Sequence, residues 1–354
     1  MFGPDEDCDE WEEQREGMPG RDSAEVLLDT LEHLEELDVE GSSRVAKAFL
    51  RIGPSSSTST TLFDTLRALD ITAVFQYRID PFADLYLWNL KRYKRLTTFS
   101  LDVRRDLTEL RGIGYTPDEF PCPELLDLSL TGILSSSEYI PVILATCSCL
   151  TSLALCETSI DATVMILLES VQHPELIRHL QVWVTNEDAE CTGDPVAQLA
   201  RFSNLESIVI QGYWFPQTHG FYSTLSKLPL KTISFKEDTD VSIEHLLKLV
   251  SGPTKMSTLE SIELNNVDAS RGDLLPRDQG AEAVRDADLI GLNWNLPTWS
   301  RFFDRQGLRN LLRVAQSENI RIEGYSVTSL AIDDEWDKEL EFYNSMVEPL
   351  TSVE

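Results

Sequence analysis

A six-residue frame of the form apolar-x-x-apolar-x-apolar recurs along this chain. It reads Leu205-Glu-Ser-Ile208-Val-Ile210 in one place and Leu259-Glu-Ser-Ile262-Glu-Leu264 in another. With other fillings it returns as Leu34/Leu37/Val39, Leu66/Leu69/Ile71, Leu96/Phe99/Leu101, Leu125/Leu128/Leu130, Leu150/Leu153/Leu155, Ile177/Leu180/Val182, Leu230/Ile233/Phe235 and Leu289/Leu292/Trp294. Successive frames start 32, 30, 29, 25, 27, 28, 25, 29 and 30 residues apart, a period that belongs to solenoid repeats. A degraded eleventh copy, Ile320-Arg-Ile322, follows 31 residues later, as a terminal repeat often does.

Strand side chains alternate between faces, so each frame predicts a short strand with its apolar residues turned inward. Helical spacing marks the segments between frames: Ile140 to Cys147, Ala162 to Val171, Val196 to Phe202, Phe221 to Leu228, and Ser242 to Val250 with Ile243, Leu246, Leu247 and Val250 on one side. Each unit is therefore a strand plus a helix, and stacked units form a parallel sheet covered on one side by helices. No unit buries enough surface to stand alone.

Two stretches interrupt this rhythm. Gly53 to Thr61 is a polar, serine-rich loop, read as flexible linkage or as a phosphorylation site, and Asp268 to Asp288 is a charged insertion. After Trp294 the pattern turns helical through Trp299, Phe302, Phe303, Leu308, Leu311, Leu312 and Ala315. A last segment puts Trp336, Leu340, Tyr343 and Val347 on one helical face, as a cap over the open end of an array. The expected organisation is a disordered acidic tail over 1–22, a solenoid over 23–325 that opens on a short helix bearing Val26, Leu27 and Leu31, and an acidic cap and tail over 326–354.

Charge narrows the partners. Sixty acidic against thirty basic residues give −30 overall, a field that repels phosphate backbones, so no nucleic acid is expected. The ends hold most of it: residues 1–40 carry −14 and residues 333–354 carry −7. No run approaches the roughly 18 apolar residues of a membrane span, and Met1-Phe-Gly-Pro-Asp-Glu-Asp lacks the basic and apolar start of a secretory signal. Six scattered cysteines fit a reducing compartment, so a cytoplasmic or nuclear protein is expected.

A Leu-x-x-Leu-x-Leu strand followed by a helix, with a period of 25 to 32 residues, resembles the leucine-rich-repeat family. The resemblance implies an α/β horseshoe with parallel strands on the concave face and helices on the convex face. The family's asparagine or cysteine three positions after the frame is replaced here by Tyr213, Asp238 and Val267. Long, irregular repeats of that kind look most like the leucine-rich half of F-box proteins, the substrate adaptors of cullin-based ubiquitin ligases. The F-box itself, a helical module of some 40 residues with a Leu-Pro start, is not found ahead of the repeats.

Catalytic signatures are scarce. G-x-G-x-x-G, G-x-x-x-x-G-K-S/T, G-x-S-x-G and H-E-x-x-H do not occur. Cys147, Cys149 and Cys156 lack C-x-x-C spacing and read as buried structural thiols, and His173 and His179 do not share a helical face. No enzyme, cofactor or metal is expected. In a curved array the strand positions between frame residues face the concave side, which is where solenoids bind. Those positions hold Glu35, Glu36 and Asp38 first, then small residues such as Thr97, Thr98, Ser100 and Ser152, and midway larger ones: Arg178, His179, Gln181, Trp183, Gln211, Tyr213, Trp214, Lys231 and Lys236. Arginine and aromatic residues anchor interfaces, so this central patch is the candidate site for a protein partner, with packing under a loop as the other reading of Trp183, Tyr213 and Trp214. The expected function is protein binding, of ubiquitin-ligase adaptor type. The alternatives are activation of a small GTPase, since Ran GTPase-activating proteins resemble this layout and its acidic end, and a purely structural scaffold.

Overall fold

A computed structural model describes residues 34–42, 64–74, 93–104, 124–132, 140–157, 167–184, 195–212, 220–236, 239–265, 267–270 and 305–328. Its strands are β1 (Glu36–Ser42), β2 (Ala68–Val74), β3 (Thr98–Arg104), β4 (Asp127–Thr131), β5 (Ser152–Glu157), β6 (His179–Val184), β7 (Ser207–Gln211), β8 (Thr232–Phe235), β9 (Asp240–Ser242), β10 (Ser261–Leu264), β11 (Asp268–Ser270) and β12 (Arg321–Glu323). Ten of them form one open sheet in the order β1-β2-β3-β4-β5-β6-β7-β8-β10-β12, and every pairing in it is parallel. The helices are α1 (Ile140–Thr146), α2 (Pro195–Ala200), α3 (Phe221–Leu225), α4 (Ile243–Val250) and α5 (Arg305–Ser317), with α2 against α3, α3 against α4 and α4 against α5. This is a solenoid-like α/β fold.

The frame residues stack in columns because the register places like positions side by side. Leu37, Leu69, Phe99, Leu128, Leu153, Leu180, Ile208, Ile233, Ile262 and Ile322 form one column through the whole sheet. All are buried except Leu37 and Ile322, which sit half-buried at the two ends. Backbone bonding repeats as faithfully. At the start of β2 to β8 and of β10 two successive N–H groups donate to one carbonyl of the preceding repeat: Glu206 and Ser207 to Arg178, and Lys231 and Thr232 to Glu206. That shared acceptor turns the chain from its first frame residue into the strand, which is why two residues separate the first and second apolar positions.

Two expectations need correcting. The frame at Leu289, Leu292 and Trp294 lies outside the described residues, and its expected place beside β10 is taken by β12, with Ile262 opposite Ile322. Ile320, one residue closer to the strand than Leu259 is in its repeat, is buried at the start of β12, and Leu308, Leu311 and Ala315 of α5 fill the helix layer next to α4. The charged stretch from Asp268 also begins as structure. Asp268–Ser270 is β11, which pairs in parallel with β9 to make a separate two-stranded sheet beyond the ends of β8 and β10. The helices expected at 23–31 and 336–347, and the loop at 53–61, lie outside the described residues.

The missing asparagine is replaced by hydroxyls in two of the repeats. Thr239, fully buried, accepts the Gly212 N–H at 3.1 Å and donates to the Ile210 carbonyl at 3.5 Å. Buried Ser326 accepts the Val267 N–H at 3.2 Å. In each case a side chain four residues past the frame satisfies a turn of the preceding repeat, which an interior backbone group requires. At the last repeat Asn265 adds a second tie, accepting the Tyr325 N–H at 2.9 Å, and Gly324 crosses there at φ +113° with the Leu264 carbonyl where a Cβ would stand. Replacing Thr239 by Val keeps the shape but strands the Gly212 N–H in the interior. It is expected to cost about 1–3 kcal/mol in chemical denaturation, the usual cost of one buried unpaired polar group, and an unchanged midpoint would show that water takes the hydroxyl's place.

Candidate functional site

Parallel sheets are usually covered on both faces, but here burial alternates along the strands, as in β4 and β7. Among the described residues one face is core and the other is more open, mostly half-buried or exposed, with Cys156, Ser234 and Ser261 buried on it. The open face carries Glu36, Asp38 and Glu40 on β1, Asp70 on β2, Asp102 on β3 and Asp127 on β4, with Asp38 directly beside Asp70 in the register. Its N-terminal half is therefore acidic. From β5 to β8 the inner positions are short: Ser152 and Ala154, then Ser207 and Val209, then Thr232 and Ser234.

β6 breaks that floor. His179 and Gln181 are exposed on it, Trp183 is half-buried, and Arg178 is exposed at the rim one residue before it, so one strand with its leading residue stands as a ridge of large side chains between shorter neighbours. Gln211 is half-buried at the far end of β7, next to Trp183 in the register. Tyr213 and Trp214, also expected in the patch, lie outside the described residues. Gln181 donates to the Cys156 Sγ at 3.4 Å across the β5–β6 boundary.

The expected lysines divide between the two rims of the sheet, Lys231 joined to Arg178 through a shared carboxylate and Lys236 at the far rim. At the rim where the strands begin, Glu206 takes Arg178 Nη1 at 3.4 Å and Lys231 Nζ at 2.5 Å, one carboxylate shared by two cations from flanking repeats. Lys231, hydrogen-bonded to it, holds the Glu206 carboxyl below its ordinary range, and the bond in turn raises Lys231. At the other rim Lys236 Nζ lies 3.2 Å from Glu263, which also accepts from Ser234 at 2.6 Å and from Asn265 at 2.6 Å. The Ser234 hydrogen bond is the main reason Glu263 too stays below the usual carboxylate range. Surface pairs of this kind contribute little to stability, but they hold long side chains in fixed positions.

Glu206 and Glu263 were absent from the expected site, since neither is aromatic nor basic. A signal for Glu206 exists in the frames: Arg178, Glu206, Lys231 and Glu260 all stand one residue after the first apolar position, so their signs alternate from repeat to repeat. The cysteines also differ from expectation. Cys147 and Cys156 are buried, but Cys149 is exposed. Burial raises the Cys156 thiol to about 11. Among the described residues no group of three or more His, Cys, Asp or Glu side chains is placed to hold a metal ion, and no helix is long and apolar enough to cross a membrane. His173 lies 3.1 Å from Glu175, while His179 belongs to the open face.

No family model matches the chain, and no curated protein matches it. Four solved chains do. One is a structural-genomics crystal structure of a protein from Bacteroides fragilis, 16% identical, with a TM-score of 0.43; the match covers 67% of this chain and 66% of that one.

The Glu206 pair sets a pH dependence whose sign is fixed by the lowered carboxyl. Its contact with Lys231 is present above the ordinary glutamate range and is lost as pH falls through the lowered value. In a carboxyl-detected NMR titration Glu206 is expected to titrate below free glutamate, and Lys231→Met is expected to move it back up. A titration unaffected by Lys231→Met would show that the shared carboxylate does not persist in solution.

Proposed function

We propose that this chain is a protein-binding solenoid of the leucine-rich-repeat type, whose open sheet face, curved as the concave side of a horseshoe, takes a partner protein at its centre around β6. The observation that carries this reading is the β6 ridge: Arg178, His179 and Gln181 stand exposed beside half-buried Trp183, on a face whose neighbouring positions are mostly short. A large planar cation and an indole are the side chains most able to anchor an interface. Gln211, Lys231 and Lys236 extend the patch, and Tyr213 and Trp214 follow Gln211 in the chain. The resemblance to the leucine-rich half of F-box proteins makes substrate capture for a ubiquitin ligase, inside the cell, the role we assign to that binding.

Pull-down with mass spectrometry on the full chain tests it. Arg178→Ala and Trp183→Ala are each expected to remove the same set of proteins recovered with the parent. Arg178→Ala is the cleaner probe, because its side chain is 63% exposed and its removal leaves the core intact. Recovery of no partner, or of the same partners with both variants, would count against this face. Adding the chain to small GTPases is expected to leave their GTP turnover unchanged; acceleration would favour a GTPase activator instead.

A further inference from the structure

We infer that the outer edge of β1 takes a basic extended segment of a partner protein, which adds to the sheet as one more strand. This surface lies five strands, about 24 Å, from β6, and it does not depend on the binding role proposed there. Backbone groups and charge both select such a partner.

β1 ends the sheet order and pairs with β2 alone. Its seven residues make an edge about 23 Å long. The Glu35 carbonyl accepts the Ala68 N–H at 3.0 Å. Backbone groups alternate in direction along a strand, so Leu37 and Val39 face β2, while the N–H and C=O groups of Glu36 and Asp38 face outward. On inner strands the matching positions bond back to the preceding repeat, with the Ser207 N–H donating to the Arg178 carbonyl and the Thr232 N–H to the Glu206 carbonyl. No strand precedes β1 among the described residues, so its edge offers a row of donors and acceptors to another chain. Leu37, half-buried at the end of its column, has no outer neighbour in that register, and apolar side chains on an added strand would continue the column. The opposite edge is a poorer template: β12 holds three residues, and its Arg321 and Glu323 pair with one another at 3.5 Å.

Charge decides which chain can add. Glu36 and Asp38 are exposed on the open face. Asp38 stands beside Asp70 in the register, and no cation among the described residues pairs with either carboxylate. Arg67, at the strand-start rim, pairs with Glu35 at 3.8 Å instead. A second copy of β1 laid along this edge would set carboxylate against carboxylate, which disfavours it. Lysine or arginine at alternate positions of an incoming strand meets Glu36 and Asp38 directly. The residues between them turn to the core side, where valine or isoleucine fits beside Leu37 and Val39. The partner's signature is therefore an alternation of basic and β-branched residues.

The probe is a labelled peptide of about seven residues, the length of β1, alternating lysine and valine and titrated against the full-length protein by fluorescence anisotropy. It is expected to bind, and the same peptide with glutamate in place of lysine is not. Two further peptides carry N-methyl groups on alternate residues, one on the lysines and the other on the valines. Only one of these sets faces β1 in an added strand, so one methylation is expected to abolish binding and the other to spare it. The double variant Glu36→Lys/Asp38→Lys is expected to bind the lysine peptide about tenfold or more weakly and to gain binding to the glutamate peptide, which also shows that it folds. Arg178→Ala is expected to bind like the parent. Loss with neither or with both methylated peptides would overturn strand addition, as would no binding by the parent. Binding unchanged in the double variant, or lost in Arg178→Ala, would place the peptide elsewhere and overturn it too. Self-association of the parent that the double variant abolishes, with no peptide bound, would give the edge to a second copy instead.

Discussion

The fold depends on one geometric constraint: every strand of the main sheet is parallel to the last, so the chain must return on the same side after each one. The described helices then pack on one face, and three apolar side chains per repeat meet them there. From β2 to β8 and at β10, the two N–H groups that share one carbonyl at the strand start fix the phase of the next repeat against the last. A slip of one residue would turn every frame leucine outward at once. The repeats are therefore locked to one another by backbone bonding and by burial together, and nearest-neighbour contacts carry stability along the chain.

Among the described residues the second face is mostly half-buried or exposed, and its chemistry is less bound by the packing rule that governs the first. What varies there is charge. Asp38 beside Asp70 is a like-charged cross-strand pair that costs stability, whereas Arg178, Glu206, Lys231 and Glu260 alternate in sign across four neighbouring repeats and relieve one another. An alternating row holds long side chains still, and a row of like charge keeps them apart and hydrated. The central strands therefore offer a more ordered surface than the acidic strands at the N-terminal side.

The stacking of frames was legible in the sequence because burial tolerates few alternatives at its positions: Leu205, Ile208 and Ile210 are each fully buried. Less was legible where burial does not discriminate. The frame at Leu289 satisfies the six-residue pattern, but β12 holds the place it was expected to fill beside β10. β9 and β11 carry only three residues each, too few for a periodic signal, although Asp240-Val-Ser and Asp268-Ala-Ser share a pattern one repeat apart. On the open face the large side chains of β6 stood out by type, but the carboxylates that orient them did not, since sixty acids give no reason to choose Glu206 without aligning the frames.

Hydroxyls in place of asparagine bear on how this solenoid tolerates irregular repeats. An asparagine ladder demands the same residue at the same offset in every turn, so each insertion must preserve it. Thr239 and Ser326 reach back from four residues beyond the frame to turns that start at different offsets, Gly212 two residues after Ile210 and Val267 three after Leu264. A short hydroxyl can donate and accept at once, so it meets an N–H and a carbonyl from one position, as Thr239 does. These two junctions are each satisfied by a local bond of their own, so their repeats stack on one register without sharing one turn offset.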